Sequence, residues 1–308
     1  ISQSGVFCYQ TGSIMSVLRW VDRRGNVLAT FGEPGEYFTP GLDVARQQFV
    51  VSSADPTTGS LDVWHYDMER NISRRLTFDP GDDWCAILSP DGKRVVFASN
   101  RTKYPQLYIK NVDGSGEERP LGTPRLAKFP VMAKFPLAWS SDGRFIAYRE
   151  IGGSTGLDIS ILDPERGTER RFLASRFAET DACFASSGRW IAFVSDESGR
   201  SEVYVTSFPE GSARWQISSG GGSQPRWRAD EKELYYYSPD GNIMAVQIDT
   251  RSGFKAGVPQ RLFACDLRTS RDDMHEYDIA PDGQRFLINT TAGRQPSLPL
   301  TIAIHPVQ

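Results

Sequence analysis

Histidine is scarce in this 308-residue sequence, which contains only His65, His275 and His305. Metal ligation would require these side chains to converge with carboxylates, and nothing in their spacing indicates this. Isolated histidines are typical of structural or exposed positions. The sequence therefore predicts no metal site and no cofactor.

Cysteine is also rare, and its four copies are far apart: Cys8, Cys85, Cys183 and Cys265. No pair has the spacing of a zinc site, and each lies in or beside a predicted strand. Two interpretations stay open. The thiols are free and buried, since cysteine behaves as a small apolar residue in cores, or two of them form a disulfide between neighbouring units of the fold.

Helical periodicity and long apolar runs are missing as well. Apolar residues rarely recur at helical spacing for more than two turns, no run reaches membrane-spanning length, and no signal peptide opens the chain. The net charge of -3 disfavours a general polyanion-binding surface. We therefore expect a soluble all-β chain that binds no nucleic acid and does not insert into a membrane.

Instead of helical patterns, the sequence contains a repeated hairpin pattern. The stretch LSPDGKRVVFASN turns at Asp91-Gly92, a dipeptide suited to tight hairpins because both central positions need positive φ. Aligning the copies on this glycine places the others at Gly5, Arg46, Gly143, Gly188, Glu231 and Gly283, at intervals of 41 to 52 residues. Such a period, with about four short strands per unit, is typical of a β-propeller with four-stranded antiparallel blades.

Seven units can be counted, but the first and the last are incomplete. The first contains predicted second, third and fourth strands at 5–9, 17–22 and 27–31, and the last contains first, second and third strands at 276–280, 285–289 and 300–305. If an upstream segment supplied the two missing strands, the intact protein would have seven blades and this chain would be a fragment. We therefore expect residues 1–308 to form one propeller domain of seven blades, with six as the alternative.

The repeats resemble a known family. SPDGKRVVFASNR with LYIKN, WSSDGRFIAY, and SGGGSQPRWRADEKELYYYSPDGNIMAV are similar to the WD40-like repeats of the TolB type, in the form found after the kinase domain of large bacterial serine/threonine protein kinases. The likeness covers essentially the whole chain, although Ala45-Arg46 replaces Asp-Gly in one unit. It implies a periplasmic or otherwise extracytoplasmic propeller that serves in sensing or docking, and it implies no catalysis in this segment.

Two motifs suggest chemistry, and neither is complete. Residues 152–156 match the G-x-S-x-G nucleophile elbow, but that elbow needs a strand-to-helix turn and here the match lies between two predicted strands. The run Gly220-Gly221-Gly222 lacks the Lys-Ser/Thr ending of a phosphate loop and a following helix, which favours an entry loop. The kinase His-Arg-Asp and Asp-Phe-Gly motifs are absent.

If the propeller binds a partner, geometry indicates where. The loops leading into the first strand of each blade form one mouth of the central channel, and aromatic and charged residues on a rigid rim suit the recognition of a peptide or protein. The alternative is that Trp84 and Phe135 pack between blades. The candidate binding residues are Glu36, Tyr37, Asp82, Asp83, Trp84, Lys134, Phe135, Thr180, Asp181, Ser223 and Gln224.

Three functions follow from these observations. The favoured one is a non-catalytic propeller, monomeric as an isolated domain, that senses or binds a protein or peptide in a bacterial envelope or signalling protein. The second is an enzyme, either with a metal-assisted hydrolase or lyase site in the channel or as the gating propeller of a peptidase. The third is a structural element that only positions a neighbouring kinase domain. Fold alone does not separate them.

Overall fold

A computed structural model describes residues 6–10, 15–55, 57–122, 131–152, 156–268, 274–292 and 300–304. These residues form antiparallel strands joined by short turns, as the repeats predict. The first three strands are β1 (Val6–Gln10), β2 (Ser16–Asp22) and β3 (Val27–Gly35).

Blades 1 to 5 follow in chain order. Blade 1 contains β4 (Tyr37–Asp43), β5 (Gln48–Ala54), β6 (Leu61–Asp67) and β7 (Ile72–Arg75), and blade 2 contains β8 (Asp83–Leu88), β9 (Arg94–Ser99), β10 (Gln106–Asn111) and β11 (Arg119–Pro120). Blade 3 contains β12 (Val131–Trp139), β13 (Ile146–Gly152), β14 (Gly156–Asp163) and β15 (Thr168–Leu173). Blade 4 contains β16 (Glu179–Phe184), β17 (Trp190–Ser195), β18 (Glu202–Ser207) and β19 (Arg214–Gln216). Blade 5 contains β20 (Ser223–Trp227), β21 (Glu233–Ser238), β22 (Asn242–Asp249), β23 (Lys255–Ala256) and β24 (Gln260–Ala264).

The sixth blade combines both ends of the chain. The strands β25 (Tyr277–Ile279) and β26 (Arg285–Thr291) pair with β2 and β3 in the order β25-β26-β2-β3. Trp20 of β2 lies opposite Leu287 of β26 in this ladder. The propeller therefore has six blades, and the expectation of seven is wrong, because the two incomplete units complete each other and leave no open strand edge between them.

Two strands that we assigned to the incomplete units lie outside the blades. Strand β1 pairs with β27 (Leu300–Ile304) in a separate two-stranded antiparallel sheet, with Cys8 opposite Ile302. The predicted second strand of the first unit and the predicted third strand of the last unit thus pair with each other. Counting them as blade strands is what produced the seventh blade.

The turn between the first two strands of each blade needs one left-handed residue. Glycine takes this position with φ values of 64°, 76°, 67° and 66° at Gly92, Gly143, Gly188 and Gly283, and Glu231 takes it with φ of 60°. In blade 1 the left-handed residue is Gln47, with φ of 51°, after the 3-10 turn Val44–Arg46. The equivalent of the glycine is therefore Gln47 and not Arg46, one residue later than the sequence alignment placed it.

Apolar clusters fill the spaces between adjacent blades. Between blades 4 and 5, for example, Val203 and Val205 pack with Leu234 and Val246, and all four are fully buried. Aromatic residues occupy the same position in three of the third strands: Tyr108 and Tyr204 are buried and stack on Phe97 and Phe193, whereas Trp64 is only half-buried.

In the described part of the chain, no helix has the length and apolar character needed to cross a membrane.

Candidate functional site

The first strand of each blade lies innermost, and these six strands surround the central channel. Strand β4 contacts β8, and the contacts continue through β12, β16 and β20 to β25, which returns to β4. Because every innermost strand is followed by the same kind of hairpin, all six begin on one face of the propeller. We call this the entry face. The predicted binding residues lie just before or within five of these strands.

Two of the charged residues among them, Asp83 and Lys134, are held in ion pairs within the protein. The carboxylate of Asp83 is fully buried and lies 3.2 Å from Arg101, and the ammonium group of Lys134, 1% exposed, donates to Glu169 at 2.9 Å. Asp82 accepts a hydrogen bond of 3.1 Å from the Asn100 amide. These contacts join the innermost strands to outer parts of the sheets, so Asp83 and Lys134 stabilise the blades.

Trp84 and Phe135 pack against each other between blades 2 and 3. Their ring centroids are 6.0 Å apart, and both belong to a small apolar cluster with Cys85 and Ala133. Arg149 covers the outer side of Phe135, with its guanidinium carbon 4.8 Å from the ring centroid. This geometry matches the alternative in which Trp84 and Phe135 pack between blades.

Four innermost strands share an irregularity that the sequence did not reveal. Thr39, Cys85, Asp181 and Gln224 all have positive φ, from 47° to 57°, and each lies where the register shifts in the ladder between the first and second strands. Such bulges re-aim the chain and concentrate at functional sites and sheet edges. They place Asp181 and Gln224 on the channel side, both almost fully buried.

The bulge at Gln224 also connects blades 5 and 6. The main-chain N–H of Glu276 donates to the Gln224 side-chain carbonyl at 2.8 Å, and the hydroxyl of Tyr277 donates to the Gln224 main-chain carbonyl at 2.7 Å. Ser223 and Thr180, the neighbouring predicted residues, are buried as well. On this side of the channel the predicted residues are therefore covered by other parts of the protein.

The remaining three predicted residues, Glu36, Tyr37 and Asp82, line a groove between blades 6 and 1. The groove has a volume of about 980 Å³ and opens towards the entry face. Trp64 and Tyr66 of β6 form an aromatic wall with Tyr37. The residues lining the groove are Met15, Gly32, Glu33, Pro34, Gly35, Glu36, Tyr37, Phe38, Ser53, Ala54, Asp55, Gly59, Leu61, Trp64, Tyr66, Asn71, Ser73 and Asp82.

The charged residues that line this groove are all acidic, and one of them, Asp55, is paired with Arg75 at 3.4 Å. Four carboxylates line it, those of Glu33, Glu36, Asp55 and Asp82, and none of its described lining residues is a lysine or arginine. Hydrogen bonds from the main-chain N–H groups of Thr58 and Thr57 lower the pKa of Asp55, which keeps it ionised. Carboxylates beside aromatic faces attract cations, because both ion pairing and the ring quadrupole favour positive charge. The groove is therefore suited to a cationic side chain.

Sequence reasoning missed Glu33, Trp64 and Tyr66 as members of this groove. Trp64 occupies the position where Tyr108 and Tyr204 are buried in other blades. Its ring lies opposite Val51 instead of an aromatic residue, and its indole N–H makes no hydrogen bond within the described residues. The only signal of Trp64's exposure was that its neighbour in the adjacent strand, Val51, is small and not aromatic.

The structure brings no catalytic or metal-binding set together among the residues that it describes. No group of three or more His, Cys, Asp or Glu side chains there has metal-binding geometry. The Nε2 atom of His65 donates to the side-chain carbonyl of Gln48 at 2.9 Å, His275 is buried, and His305 lies outside the described residues. The central part of the G-x-S-x-G match, 153–155, also lies outside them, between the paired ends of β13 and β14.

Among the described residues, Cys85, Cys183 and Cys265 form no disulfide with one another. Burial, followed by the nearby carboxylate of Asp266, raises the pKa of the Cys265 thiol to about 12. The side chain of Cys8 lies outside the described part of the chain.

The glycine run at 220–222 binds a carboxylate of the protein itself. The main-chain N–H of Gly221 donates to Glu202 at 2.9 Å, and that of Gly222 donates to the Ser201 carbonyl at 3.0 Å. The hydroxyl of Ser218 also donates to Glu202. The run is thus an entry loop, as predicted, and its N–H groups fix the start of β18.

No protein-family model matches the sequence. Solved structures with the same fold include a protein assigned to TolB from Agrobacterium tumefaciens, with a TM-score of 0.69 and 17% identity over 91% of this chain and 99% of that one. TolB from Acinetobacter baumannii has a TM-score of 0.53 and 15% identity over 91% of this chain and 65% of its own. An oligogalacturonate lyase in complex with manganese has a TM-score of 0.57 and 13% identity over 90% and 76%.

Identities this low establish the fold and not the activity. The arrangement after a kinase domain, which the sequence resemblance suggested, stays a prediction. In its fold the chain is a six-bladed antiparallel β-propeller, similar to the TolB structures.

Proposed function

We propose that this propeller is a non-catalytic binding module that captures a basic segment of a partner protein in the groove between blades 6 and 1. The observation that carries the proposal is the groove itself, with four carboxylates and an aromatic wall on a rigid ring of blades. A lysine or arginine side chain in this groove would contact ring faces and carboxylates together.

The groove has the size and walls of a recognition site. At about 980 Å³ it has room for several residues of an extended segment. Tyr37 and Tyr66 are fixed by packing, with ring centroids 6.5 Å apart, and their hydroxyls lie 3.4 Å from each other. Rigid aromatic residues of this kind are enriched among the positions that dominate binding energy.

The cellular location is part of the proposal. The TolB fold similarity and the sequence resemblance both favour an extracytoplasmic, bacterial setting. In that setting a propeller whose described residues form no catalytic set would act by sensing or docking. An alternative function as an enzyme draws on the lyase with the same fold, but no metal-binding cluster in the described residues supports it.

Photo-crosslinking tests whether the groove contacts a partner. A photoreactive phenylalanine analogue at Pro34, an exposed groove residue, is expected to form a discrete adduct in cells that make the chain naturally. The same analogue at Glu117, an exposed residue that does not line the groove, serves as the control. Adducts of equal yield at both positions, or none at Pro34, would contradict the proposal.

Charge dependence tests the chemistry of the ligand. The peptide acetyl-Lys-Phe-Lys-Phe-Lys-amide is expected to bind the purified chain more tightly than its glutamate counterpart. The double variant Glu33→Gln/Glu36→Gln should weaken binding by about tenfold, since each charge contributes up to about 1 kcal/mol at a partly exposed site. The variant Glu117→Gln/Asp240→Asn removes the same charge elsewhere and should bind as the natural sequence does. Equal weakening by both double variants would show that only net charge matters.

A further inference from the structure

Three asparagines stand in the Asn-x-Ser/Thr pattern that accepts N-linked glycans: Asn71, Asn100 and Asn289. The pattern alone does not distinguish them. A glycan can be attached only to a side-chain amide that is exposed and free to enter the active site of a transferase. The structure separates the three on these grounds.

Asn289 is fully buried and holds blades together. Its amide donates to the main-chain carbonyl of Tyr37 at 2.7 Å and to the carboxylate of Glu276. A glycan on this nitrogen would require the interface between blades 6 and 1 to open. Asn289 is therefore unsuitable in the folded protein.

Both the amide nitrogen and the carbonyl oxygen of the Asn100 side chain form hydrogen bonds to Asp82. Its amide donates to Asp82 at 3.1 Å, and its carbonyl oxygen accepts from the main-chain N–H of Asp82 at 2.7 Å. The next residue, Arg101, is fixed in ion pairs with Asp83 and Glu118. This segment is held against the start of β8 and cannot readily leave the sheet.

Asn71 differs from Asn100 and Asn289 in its exposure and in its position at a turn. It lies at the end of the turn between β6 and β7, with φ of 51°, and it is exposed together with Ile72 and Ser73. Left-handed backbone at an exposed turn is a conformation that asparagine tolerates. Glu69, two residues before Asn71, is exposed too and places an acidic side chain beside the acceptor.

We propose that Asn71 is an N-glycosylation site of this protein. The donor is an oligosaccharide linked to a lipid diphosphate. The Asn71 amide nitrogen forms a bond to the anomeric carbon of the sugar, the bond from that carbon to the phosphate oxygen breaks, and the amide proton leaves with the lipid diphosphate. The acidic residue at 69 fits bacterial oligosaccharyltransferases of the kind that require an acid two positions before the asparagine. The inference depends on the extracytoplasmic location proposed above.

The position of Asn71 gives the modification a consequence. Asn71 and Ser73 line one end of the groove between blades 6 and 1. A glycan on Asn71 would cover that end and leave the side at Glu36 and Asp82 open. Modification would therefore restrict the length of the partner segment that enters.

The test is to export the full chain into the periplasm of a bacterium that carries such an oligosaccharyltransferase and its lipid-linked donor, and then to measure its intact mass. We expect a mass increase of one oligosaccharide, located by peptide mapping at Asn71. The increase should disappear in Ser73→Ala, which keeps Asn71, and in Glu69→Ala, and should persist in Asn100→Gln. Circular dichroism shows whether each variant is folded.

An unmodified folded chain, or a glycan that persists in Ser73→Ala, would overturn the assignment. Because export is supplied in this experiment, failure would reject Asn71 as an acceptor and would leave the binding function of the groove to be judged by its own cross-linking result.

Discussion

The side-chain amide of Asn289, in β26, donates a hydrogen bond of 2.7 Å to the main-chain carbonyl of Tyr37, in β4. The same amide contacts the carboxylate of Glu276, whose main-chain N–H is bonded to Gln224 of blade 5. This series of contacts links blades 5, 6 and 1 where the ring closes. A single buried side chain thus connects the blade built from both chain ends to its neighbour.

Replacing Asn289 should therefore destabilise the propeller. Asn289→Ala removes the hydrogen bond to the Tyr37 carbonyl and a partner of a buried carboxylate, and we expect it to lower the free energy of unfolding by about 2–4 kcal/mol. Urea denaturation measures this change. Asn26→Ala, which removes an exposed hydrogen bond to Asp22, is the control and should cost less than about 1 kcal/mol. Equal losses would show that Asn289 has no special part in closure.

The left-handed turn positions predict opposite effects at Gln47 and Gly92. Gln47→Gly should leave stability within about 1 kcal/mol of the natural protein and on the stabilising side, because glycine adopts positive φ without strain. Gly92→Ala should cost about 2 kcal/mol or more, since an added Cβ would lie 2.4 Å from an oxygen of Asp43. Thermal unfolding of the two variants distinguishes them, and a loss on Gln47→Gly would contradict this account of the turn.

An ion pair between blades should make stability depend on acid pH. Burial alone would raise the pKa of Glu233, but hydrogen bonds from Arg23, Tyr235 and Arg228 outweigh it and lower the pKa to about 2. Since the folded pKa is below the unfolded value, this contribution is complete above about pH 4.5 and is lost as the pH falls towards 2. It amounts to on the order of 3 kcal/mol.

Glu233→Gln should therefore flatten the decline of stability between about pH 4.5 and 2. Urea midpoints measured across this range test the prediction. His275 also makes stability depend on acid pH, because burial and then Arg226 lower its pKa. The stability that the neutral His275 contributes is lost as the pH falls from about 6.5. This loss is the same in the natural protein and in Glu233→Gln. A slope between pH 4.5 and 2 that is unchanged by the substitution would exclude the Glu233 explanation.

Lys134 should prove to be structural. Lys134→Ala leaves the carboxylate of Glu169 without its buried cation, and breaking such a pair costs about 3–5 kcal/mol. The double variant Lys134→Met/Glu169→Gln removes both charges and should recover at least half of that loss. Chemical denaturation gives both values. If Lys134→Ala instead reduced peptide binding at unchanged stability, the predicted binding role of Lys134 would be supported.

The repeats made the blades predictable because each unit has its own turn. The hairpins aligned on Gly92, Gly143, Gly188, Glu231 and Gly283 all occur, and the displaced turn at Gln47 shows how sequence alignment errs by one residue when a 3-10 turn replaces Asp-Gly. The number of blades was not predictable in the same way. Whether β2 and β26 belong to one blade or to two depends on pairing over more than 260 residues, which no local pattern encodes.

The candidate site was predictable only as a region. Loop positions predicted the entry face, and Glu36, Tyr37 and Asp82 do line a groove there. The burial of Asp83 and Lys134 could not be foreseen, since it depends on Arg101 and Glu169 from outer parts of the sheets. Trp64 was missed because its exposure reflects how blade 6 lies against blade 1.

The construction of blade 6 also determines the order in which the chain can fold during synthesis. Strands β2 and β3 leave the ribosome about 260 residues before their partner β26, so one edge of that hairpin stays open until β26 emerges. Blades 1 to 5 can form in sequence during this time, because each is continuous in the chain. Ring closure is thus a late event, and a nascent chain that pauses before residue 285 presents an unpaired edge to other chains and to chaperones.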